Sequence, residues 1–346
     1  MDAGTTLPFK ALPPPRTRPA LGLLLIALGY GHLLLAIVLF FFLFGSFISS
    51  LVSSLFNSSR VEPPNLLLFP LWMLCVLSAV LLHPFLLRLV KRGKALRQAD
   101  ALSLLARDRR APVLYLRPFD DDDLPDLTLP NNGLLPHPTF EARLHEALAP
   151  LGPMVSVGRP GEKVPELGSA RLYVADGEWR AAVEFLMGRA AAVVVVFGRS
   201  QGVLWEALNA LKRMPPERLL FCFPYVLEKG KRSLWLEYRR GIEGYRYNRE
   251  ALRRADFERQ LRYQAFREGA GAALAARLPP RLGDVCFLCF REDGEPYFLE
   301  SSRPLMARLG ASLSGSESLP VYLNFRKTLK PFVNGRESRT PARAGA

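Results

Sequence analysis

Three arginines follow short apolar runs in this sequence, and their position suggests the chemistry of a binding site. Arg117, Arg159 and Arg199 each stand where a strand of a parallel sheet would end. Open parallel sheets bind ligands beyond the carboxyl ends of their strands, so three guanidinium groups would meet at one edge. A guanidinium offers paired donors that suit phosphate and carboxylate groups. The pattern predicts a site for an anionic ligand; the alternative is a set of solvated arginines at strand exits.

Residues in the same strand-exit loops complete the predicted anion site. Gly198 lets the backbone approach a ligand closely, and Ser200 precedes a predicted helix whose N-terminus would attract an anion. The other members are two acids in the first two loops and a tryptophan in the third helix, namely Asp120, Glu162 and Trp205.

Glu206 is the candidate catalytic residue, because it directly follows Trp205 early in a predicted helix. A partly desolvated carboxyl group beside an indole could have a raised pKa and act as an acid, a base or an oxocarbenium stabiliser. The structural alternative is a glutamate placed there because the helix dipole favours it, next to a core tryptophan.

Two other groups are candidate metal ligands. The run Asp120–Asp123 could hold Mg²⁺, as strand-end carboxylates do. However, Arg117-Pro118-Phe119 stands between the apolar run and these acids, and four adjacent like charges favour an exposed loop. Cys286 and Cys289 form a single C-x-x-C pair with no second pair to complete a zinc site. We expect no metal centre, and we expect buried strand cysteines.

The elements that would position these residues alternate between strands and helices. Strands are predicted over Val113–Arg117, Met154–Val157, Ala191–Phe197 and Leu219–Val226. Helices are predicted over Phe140–Leu148, from Asp176 or Gly177 through Leu186, and over Val203–Met214. This alternation predicts an α/β fold with a doubly wound, mostly parallel sheet. Beyond it we expect a helix over Arg249–Arg267 and a β-hairpin turned by Asp293-Gly294.

Two long stretches without formal charge precede this α/β region. Leu21–Phe44 and Leu66–Leu87 are each long enough to cross a bilayer, which takes about 20 residues. Cations precede the first stretch and follow the second, so both ends are expected in the cytoplasm. We therefore predict a multi-pass protein of a bacterial inner membrane whose partner is the lipid bilayer. Buried helices of a soluble protein are the alternative, although such helices rarely lack a polar face.

These patterns divide the chain into six expected parts. They are a disordered N-terminus (1–18), a transmembrane hairpin (19–90, with helices over about 21–44 and 66–88), a basic juxtamembrane helix (91–110), an α/β domain (111–230), its helical and hairpin extension (231–333), and a disordered tail (334–346).

The net charge of +14 would suggest nucleic acid as the partner of a soluble protein. Here much of the excess flanks the apolar stretches, and no aromatic-basic motif of a nucleic-acid module is present. We therefore expect no nucleic-acid partner.

The segment Val113–Val226 resembles the TIR-type flavodoxin-like domains, especially divergent bacterial versions attached to membrane hairpins. The shared features are a strand with an acidic loop (Val113–Asp123), a helix with Phe140, Leu144 and Leu148, the valine strand, and a serine-containing turn before Trp205-Glu206. The resemblance implies a flavodoxin-like fold and a role in nucleotide binding or signalling assembly. In NAD-cleaving members a glutamate soon after a Ser-x-Trp element is catalytic, and the resemblance implies that Glu206 would carry this role. Here the serine, Ser200, stands five residues before Trp205, so the usual spacing is not kept.

Three functions remain open on the sequence alone. The first is a membrane-anchored domain that binds a nucleotide-type anionic ligand, mediates signalling assembly by self-association, or does both. The second is an NAD glycohydrolase that uses Glu206. The third is a non-enzymatic scaffold that acts through the charged region Glu228–Arg277. The cofactor is not determined by the sequence; NAD and other nucleotides are the candidates.

Overall fold

The computed structural model of the chain describes residues 7–14, 18–56, 68–118, 139–158, 168–175, 177–198, 200–224, 249–282, 286–299 and 325–337. Within these ranges the chain forms two long apolar helices followed by an α/β unit built on one mixed sheet.

The first two helices expose their large apolar side chains. α1 spans Pro19–Phe56 and α2 spans Leu68–Ala95. Leucines and phenylalanines such as Leu34, Phe41 and Leu81 are more than half exposed. In the part of the chain that the structure describes, Pro19–Ser53 is the one helical stretch long and apolar enough to cross a bilayer. α1 is longer than predicted because the segment after Phe44 continues the helix.

α1 and α2 pack antiparallel through glycines. Gly22 and Gly93 face each other so closely that a Cβ atom on either would lie 2.5 Å from the carbonyl oxygen of the other. Further along the pair, the Phe40 ring centroid lies 5.5 Å from that of Trp72. Small residues at the crossing allow the two backbones to touch.

The basic segment after the apolar part of α2 is not one continuous helix. α2 ends at Ala95, and a new helix, α3, spans Ala101–Arg107. The Asp100 carboxylate accepts a hydrogen bond from the Ser103 amide at 3.0 Å, which caps α3. The capping aspartate explains the break in a segment predicted as a single juxtamembrane helix.

Seven strands form one sheet in the order β3-β2-β1-β4-β5-β6-β7. The strands are β1 Val113–Leu116, β2 Met154–Val157, β3 Ala170–Leu172, β4 Ala192–Val196, β5 Leu219–Cys222, β6 Phe287–Phe290 and β7 Pro296–Leu299. The first five pair in parallel, whereas β5–β6 and β6–β7 pair antiparallel. The α/β class is confirmed, and the predicted hairpin completes the sheet as β6 and β7.

Helices cover both faces of the sheet. They are α4 Phe140–Leu148, α5 Trp179–Met187, α6 Gln201–Arg213, α7 Arg249–Gly269, α8 Ala272–Arg277 and α9 Phe325–Glu337. α4 and α9 pack on the face that presents Val194 and Val196, whereas α5, α6 and α7 pack on the face that presents Val193 and Val195. β4 is apolar throughout because both of its faces are buried.

The N-terminal segment 7–14 is docked on the α/β unit, although residues 1–18 were predicted to be disordered. Ala11 forms an antiparallel bridge with Val174, just beyond β3. Phe9 is 7% exposed and packs edge-to-face on Phe185, with ring centroids 5.5 Å apart. The segment is therefore held by both backbone pairing and apolar burial.

Candidate functional site

The order of the strands reverses between β1 and β4. From β1 the chain goes through α4 to β2 and β3 on one side, and then returns through α5 to β4 on the other side. α4 and α6 follow β1 and β4 on opposite faces of the sheet. In open α/β sheets, ligands bind beyond the carboxyl ends of the strands at such a reversal.

Five of the nine sequence-predicted site residues are described: Arg117, Gly198, Ser200, Trp205 and Glu206. Arg117 directly follows β1, and Gly198 and Ser200 lie between β4 and α6, so the structure brings these three to the exits of two adjacent strands. The other four lie outside the described residues: Asp120, Arg159, Glu162 and Arg199.

Arg117 is engaged by a buried glutamate. Its side chain is 6% exposed, and its Nε lies 3.2 Å from Oε2 of Glu141. Glu141 occupies the first turn of α4, whose N-cap is Thr139, with the Thr139 hydroxyl accepting from the Ala142 amide at 3.2 Å. A second buried guanidinium, that of Arg171 in β3, lies 3.7 Å from the same carboxylate oxygen.

The other carboxylate oxygen of Glu141 is held by Ser169. The Ser169 amide and hydroxyl donate to Oε1 at 2.7 and 2.6 Å, and the Ser169 and Ser156 hydroxyls are 2.7 Å apart. Gly168 precedes this serine with φ +143°, and a Cβ atom there would overlap the Glu141 side chain. We call Arg117, Glu141, Ser156, Ser169 and Arg171 the buried carboxylate cluster.

Burial and charge act in opposite directions on the cluster. Burial is the largest effect and raises the pKa of the Glu141 carboxyl group above its ordinary value, although the Arg117 charge and the hydrogen bonds from Ser169 oppose this rise. The cluster fixes Arg117 relative to α4 and β3, so its guanidinium is a positioned group at the β1 exit and not a solvated one.

The buried carboxylate cluster is also connected to the end of α2. Gln98, three residues after α2, donates its side-chain amide to the Ser169 carbonyl at 2.6 Å and to the Gly168 carbonyl at 3.3 Å. A continuous set of contacts therefore runs from the apolar helix pair, through the segment before β3, to Arg117 at the β1 exit.

Ser200 and Trp205 have defined contacts at the start of α6. The Ser200 hydroxyl accepts from the Gly202 amide at 3.1 Å, which caps the helix. The Trp205 ring packs edge-to-face on Trp179 at 5.2 Å, and the Arg180 guanidinium lies 5.0 Å from the Trp205 centroid. The half-buried tryptophans thus join the N-termini of α5 and α6.

Glu206 is buried in the next turn. It is 8% exposed, and among the described residues its Oε2 has no hydrogen-bond partner. Burial raises the pKa of this carboxyl group to about 8, so the group carries a proton at neutral pH. It can therefore donate a proton or a hydrogen bond, and it becomes a carboxylate only in alkaline solution.

Three cysteines of the α/β unit are buried thiols. Cys222, Cys286 and Cys289 are at most 1% exposed. Burial raises the pKa of the Cys222 thiol well above its usual value, which disfavours the nucleophilic thiolate. Within the described ranges, no three His, Cys, Asp or Glu side chains are grouped to hold a metal ion.

The cluster residues other than Arg117 were missed from the sequence. Glu141 was recognised only as an acid in a helical first turn, and β3, which carries Arg171, was not predicted at all. β3 has only three residues, which is too few for a periodic pattern. The arginine at its centre is a residue type that normally indicates exposure, although it is buried here. Contacts across about 30 positions leave no local signal.

No protein-family model, curated protein or solved structure matches the chain.

Proposed function

We propose that this chain is a membrane-anchored cytoplasmic domain that binds a nucleotide-type anionic ligand and signals through self-association. The observation that supports this most directly is the position of Arg117 and of the Ser200-capped N-terminus of α6. Both lie at the exits of the adjacent strands β1 and β4, where the direction of chain progression reverses. A helix N-terminus is suited to phosphate. The Arg117 guanidinium is buried and held by Glu141, so it contributes positive charge at this edge and not a direct contact with the ligand.

The proposal includes a doubly wound, TIR-like fold. The reversal between β1 and β4 and the helices on both faces support the doubly wound arrangement. The antiparallel β6–β7 hairpin then extends the parallel part at one edge. The TIR-like assignment depends on the sequence resemblance alone.

The proposed anchor is a hairpin of two membrane spans, α1 and α2. Residues 7–14 contact the α/β unit immediately before α1, and Gln98 contacts it immediately after α2. A chain that leaves and returns to the same folded unit crosses the bilayer an even number of times. Cations near both ends of the pair, such as Arg18 and Arg92, favour a cytoplasmic position for that unit.

Ligand binding is tested with the full-length protein in detergent micelles. Isothermal titration with NAD and with ADP should show binding at micromolar to millimolar concentration. Arg159→Ala and Arg199→Ala should each weaken it at least about tenfold, the loss expected for a charge-assisted phosphate contact. The control is Arg281→Ala, on an exposed arginine that follows α8 and is not at the exit of β1 or β4. Unchanged affinity in both site variants would refute the anion site.

A second candidate, NAD glycohydrolase, is favoured by the environment of Glu206. In this reaction the bond between C1′ of the ribose and the nicotinamide nitrogen breaks and its electron pair leaves with neutral nicotinamide. Water bonds to C1′ and loses a proton to the solvent. A carboxylate beside C1′ would stabilise the oxocarbenium ion. Since the pKa of Glu206 is about 8, turnover that needs the carboxylate should rise with pH up to that value.

The enzymatic alternative is tested by incubating the protein with NAD and measuring free nicotinamide. Glu206→Gln should abolish release, whereas Glu268→Gln, at an exposed position on α7, should leave it unchanged. If the wild-type protein releases no nicotinamide, even when clustered in liposomes, the binding function is retained and the hydrolase is excluded.

A further inference from the structure

The antiparallel register of α1 and α2 places apolar and cationic side chains at the same level. Gly22 is opposite Gly93, and the Lys94 ammonium lies 5.9 Å from the ring centroid of Tyr30. The first three turns of α1 therefore run beside the charged end of α2, not beside its apolar part.

Both helices expose these side chains. On α1, Leu23, Leu24 and Leu28 are 56%, 54% and 53% exposed. On the end of α2, and just after it, the exposed cations are Arg92, Lys94 and Arg97. We call these six residues the basic collar.

Neither water nor hydrocarbon suits the basic collar as a whole. Water disfavours a row of exposed leucines, and the hydrocarbon core disfavours guanidinium and ammonium groups. The boundary between acyl chains and headgroups suits both, because long cationic side chains can lie along apolar surface and extend their charged ends to phosphates.

The length of α1 is consistent with this position. A helix of 38 residues is about 57 Å long, well beyond the ~30 Å of a hydrocarbon core. The α1 residues opposite the charge-free part of α2 are enough to cross that core, so the first turns extend into the headgroup region. The Gln98 contact places this end next to the α/β unit.

We propose that the basic collar is a binding surface for anionic phospholipids in the leaflet next to the α/β unit. The leucines contact the upper acyl chains, and Arg92, Lys94 and Arg97 contact the phosphates. Charge complementarity determines the class of lipid, because a zwitterionic headgroup offers no net charge to three clustered cations. This inference rests on the proposed membrane anchor.

The test uses full-length protein in nanodiscs of phosphatidylcholine with increasing fractions of phosphatidylglycerol. Native mass spectrometry after release from the discs reports which lipids stay bound. Each cation near the surface favours an anionic lipid about fivefold. We therefore expect phosphatidylglycerol to be enriched at least about tenfold over its share of the disc.

The variant Arg92→Gln/Lys94→Gln/Arg97→Gln should lose this enrichment. The matched control Arg281→Gln/Arg291→Gln/Lys330→Gln removes the same charge from exposed positions of the α/β unit and should keep it. Equal retention of both lipids by the wild type, or unchanged enrichment in the collar variant, would overturn the proposal. A dimer that the collar variant dissociates, with no lipid retained, would also overturn it by identifying a second copy as the occupant.

Failure of the anchor itself gives a different result. A protein that does not float with pure phosphatidylcholine liposomes, and that alkaline carbonate extracts, has no membrane-spanning hairpin. A protein that floats but shows no lipid preference keeps the anchor and lacks only the proposed surface.

Discussion

In the α1–α2 pair many leucines and phenylalanines are exposed and Gly22, Gly29 and Gly93 are at the contact, whereas in the α/β unit the valines and phenylalanines fill two buried clusters. The α/β unit also buries charge, because Glu141 lies among two arginines and two serines. The helix pair leaves much of its apolar surface exposed, whereas the α/β unit buries its apolar and charged side chains against partners from its own chain. One chain therefore contains two regions with opposite patterns of burial, and Gln98 connects the two regions.

The largest effect should come from removing the charge at the centre of the buried carboxylate cluster. Glu141→Ala leaves two guanidiniums without their shared carboxylate, and breaking a buried ion pair in this way costs about 3–5 kcal/mol. Thermal unfolding of the full-length protein in detergent, followed by tryptophan fluorescence, measures the loss.

The matched control is Glu146→Ala on the same helix. Glu146 pairs with Arg326 at 3.0 Å, and both side chains are more than half exposed. An exposed pair contributes about 0–1 kcal/mol, so this variant should unfold close to the wild type. Equal losses of stability in the two variants would show that the losses come from a change in the helix propensity of α4 and not from the buried charge.

Glu206 should make the stability of the α/β unit depend on pH. The folded state keeps its proton up to about pH 8, whereas an ordinary glutamate loses it near 4.5. Since the folded state binds the extra proton between these values, the free energy of unfolding should fall as pH rises, by about 1.4 kcal/mol per pH unit, and level off above 8.

Glu206→Gln should remove this fall, because glutamine has no proton to lose in that range. Unfolding measured from pH 5 to 9 compares the slopes of the wild type and the variant. Glu268→Gln, on the exposed face of α7, should keep the wild-type slope. A wild-type slope that survives in Glu206→Gln would assign the titration to another group.

The elements of the α/β unit were predictable where burial is periodic or continuous. β2 and α4 have their predicted bounds, and the all-valine core of β4 indicates a strand buried on both faces. The hairpin was predictable from one turn, since Gly294 adopts φ +77° where Asp293-Gly294 was expected to reverse the chain.

What the sequence did not reveal depends on distant partners. The docking of Phe9 needs Phe185 and the edge beyond β3, neither of which leaves a mark near position 9. Arg117 was expected to face a ligand, and its contact with Glu141 could not be predicted because it depends on the packing of α4 on β1. Position along the strand was predictable, but the partner of the side chain was not.

A smaller effect should come from the glycine contact that joins α1 to α2. Gly22→Leu places a side chain where the carbonyl of Gly93 already lies, so the helices must move apart. Overpacking of this kind costs about 1–3 kcal/mol. Gly31→Leu is the control, because a Cβ atom there has no neighbour within 4 Å.

Spin labels at the exposed positions Leu24 and Arg92 report the separation of the helices. Gly22→Leu should lengthen and broaden the distance distribution, whereas Gly31→Leu should leave it as in the wild type. A pair that keeps its separation in Gly22→Leu would show that other contacts, such as that of Phe40 with Trp72, determine the crossing.

The smallest expected effect tests whether the two regions are coupled through Gln98. Gln98→Ala removes two hydrogen bonds to the carbonyls of Gly168 and Ser169, which should cost only about 1 kcal/mol of stability. The loss should nevertheless be localised, because Ser169 holds Glu141 and Glu141 holds Arg117. Hydrogen exchange should therefore rise in the peptides that contain β1 and the start of α4, while β5 stays protected.

The control is Gln264→Ala, which also removes an amide contact to a backbone carbonyl, that of Pro280, but lies on α7 and not in the cluster. If both variants raise exchange in the same peptides, Gln98 contributes only to general stability. If Gln98→Ala alone raises exchange in β1, the helix pair and the β1 exit are coupled through Gln98.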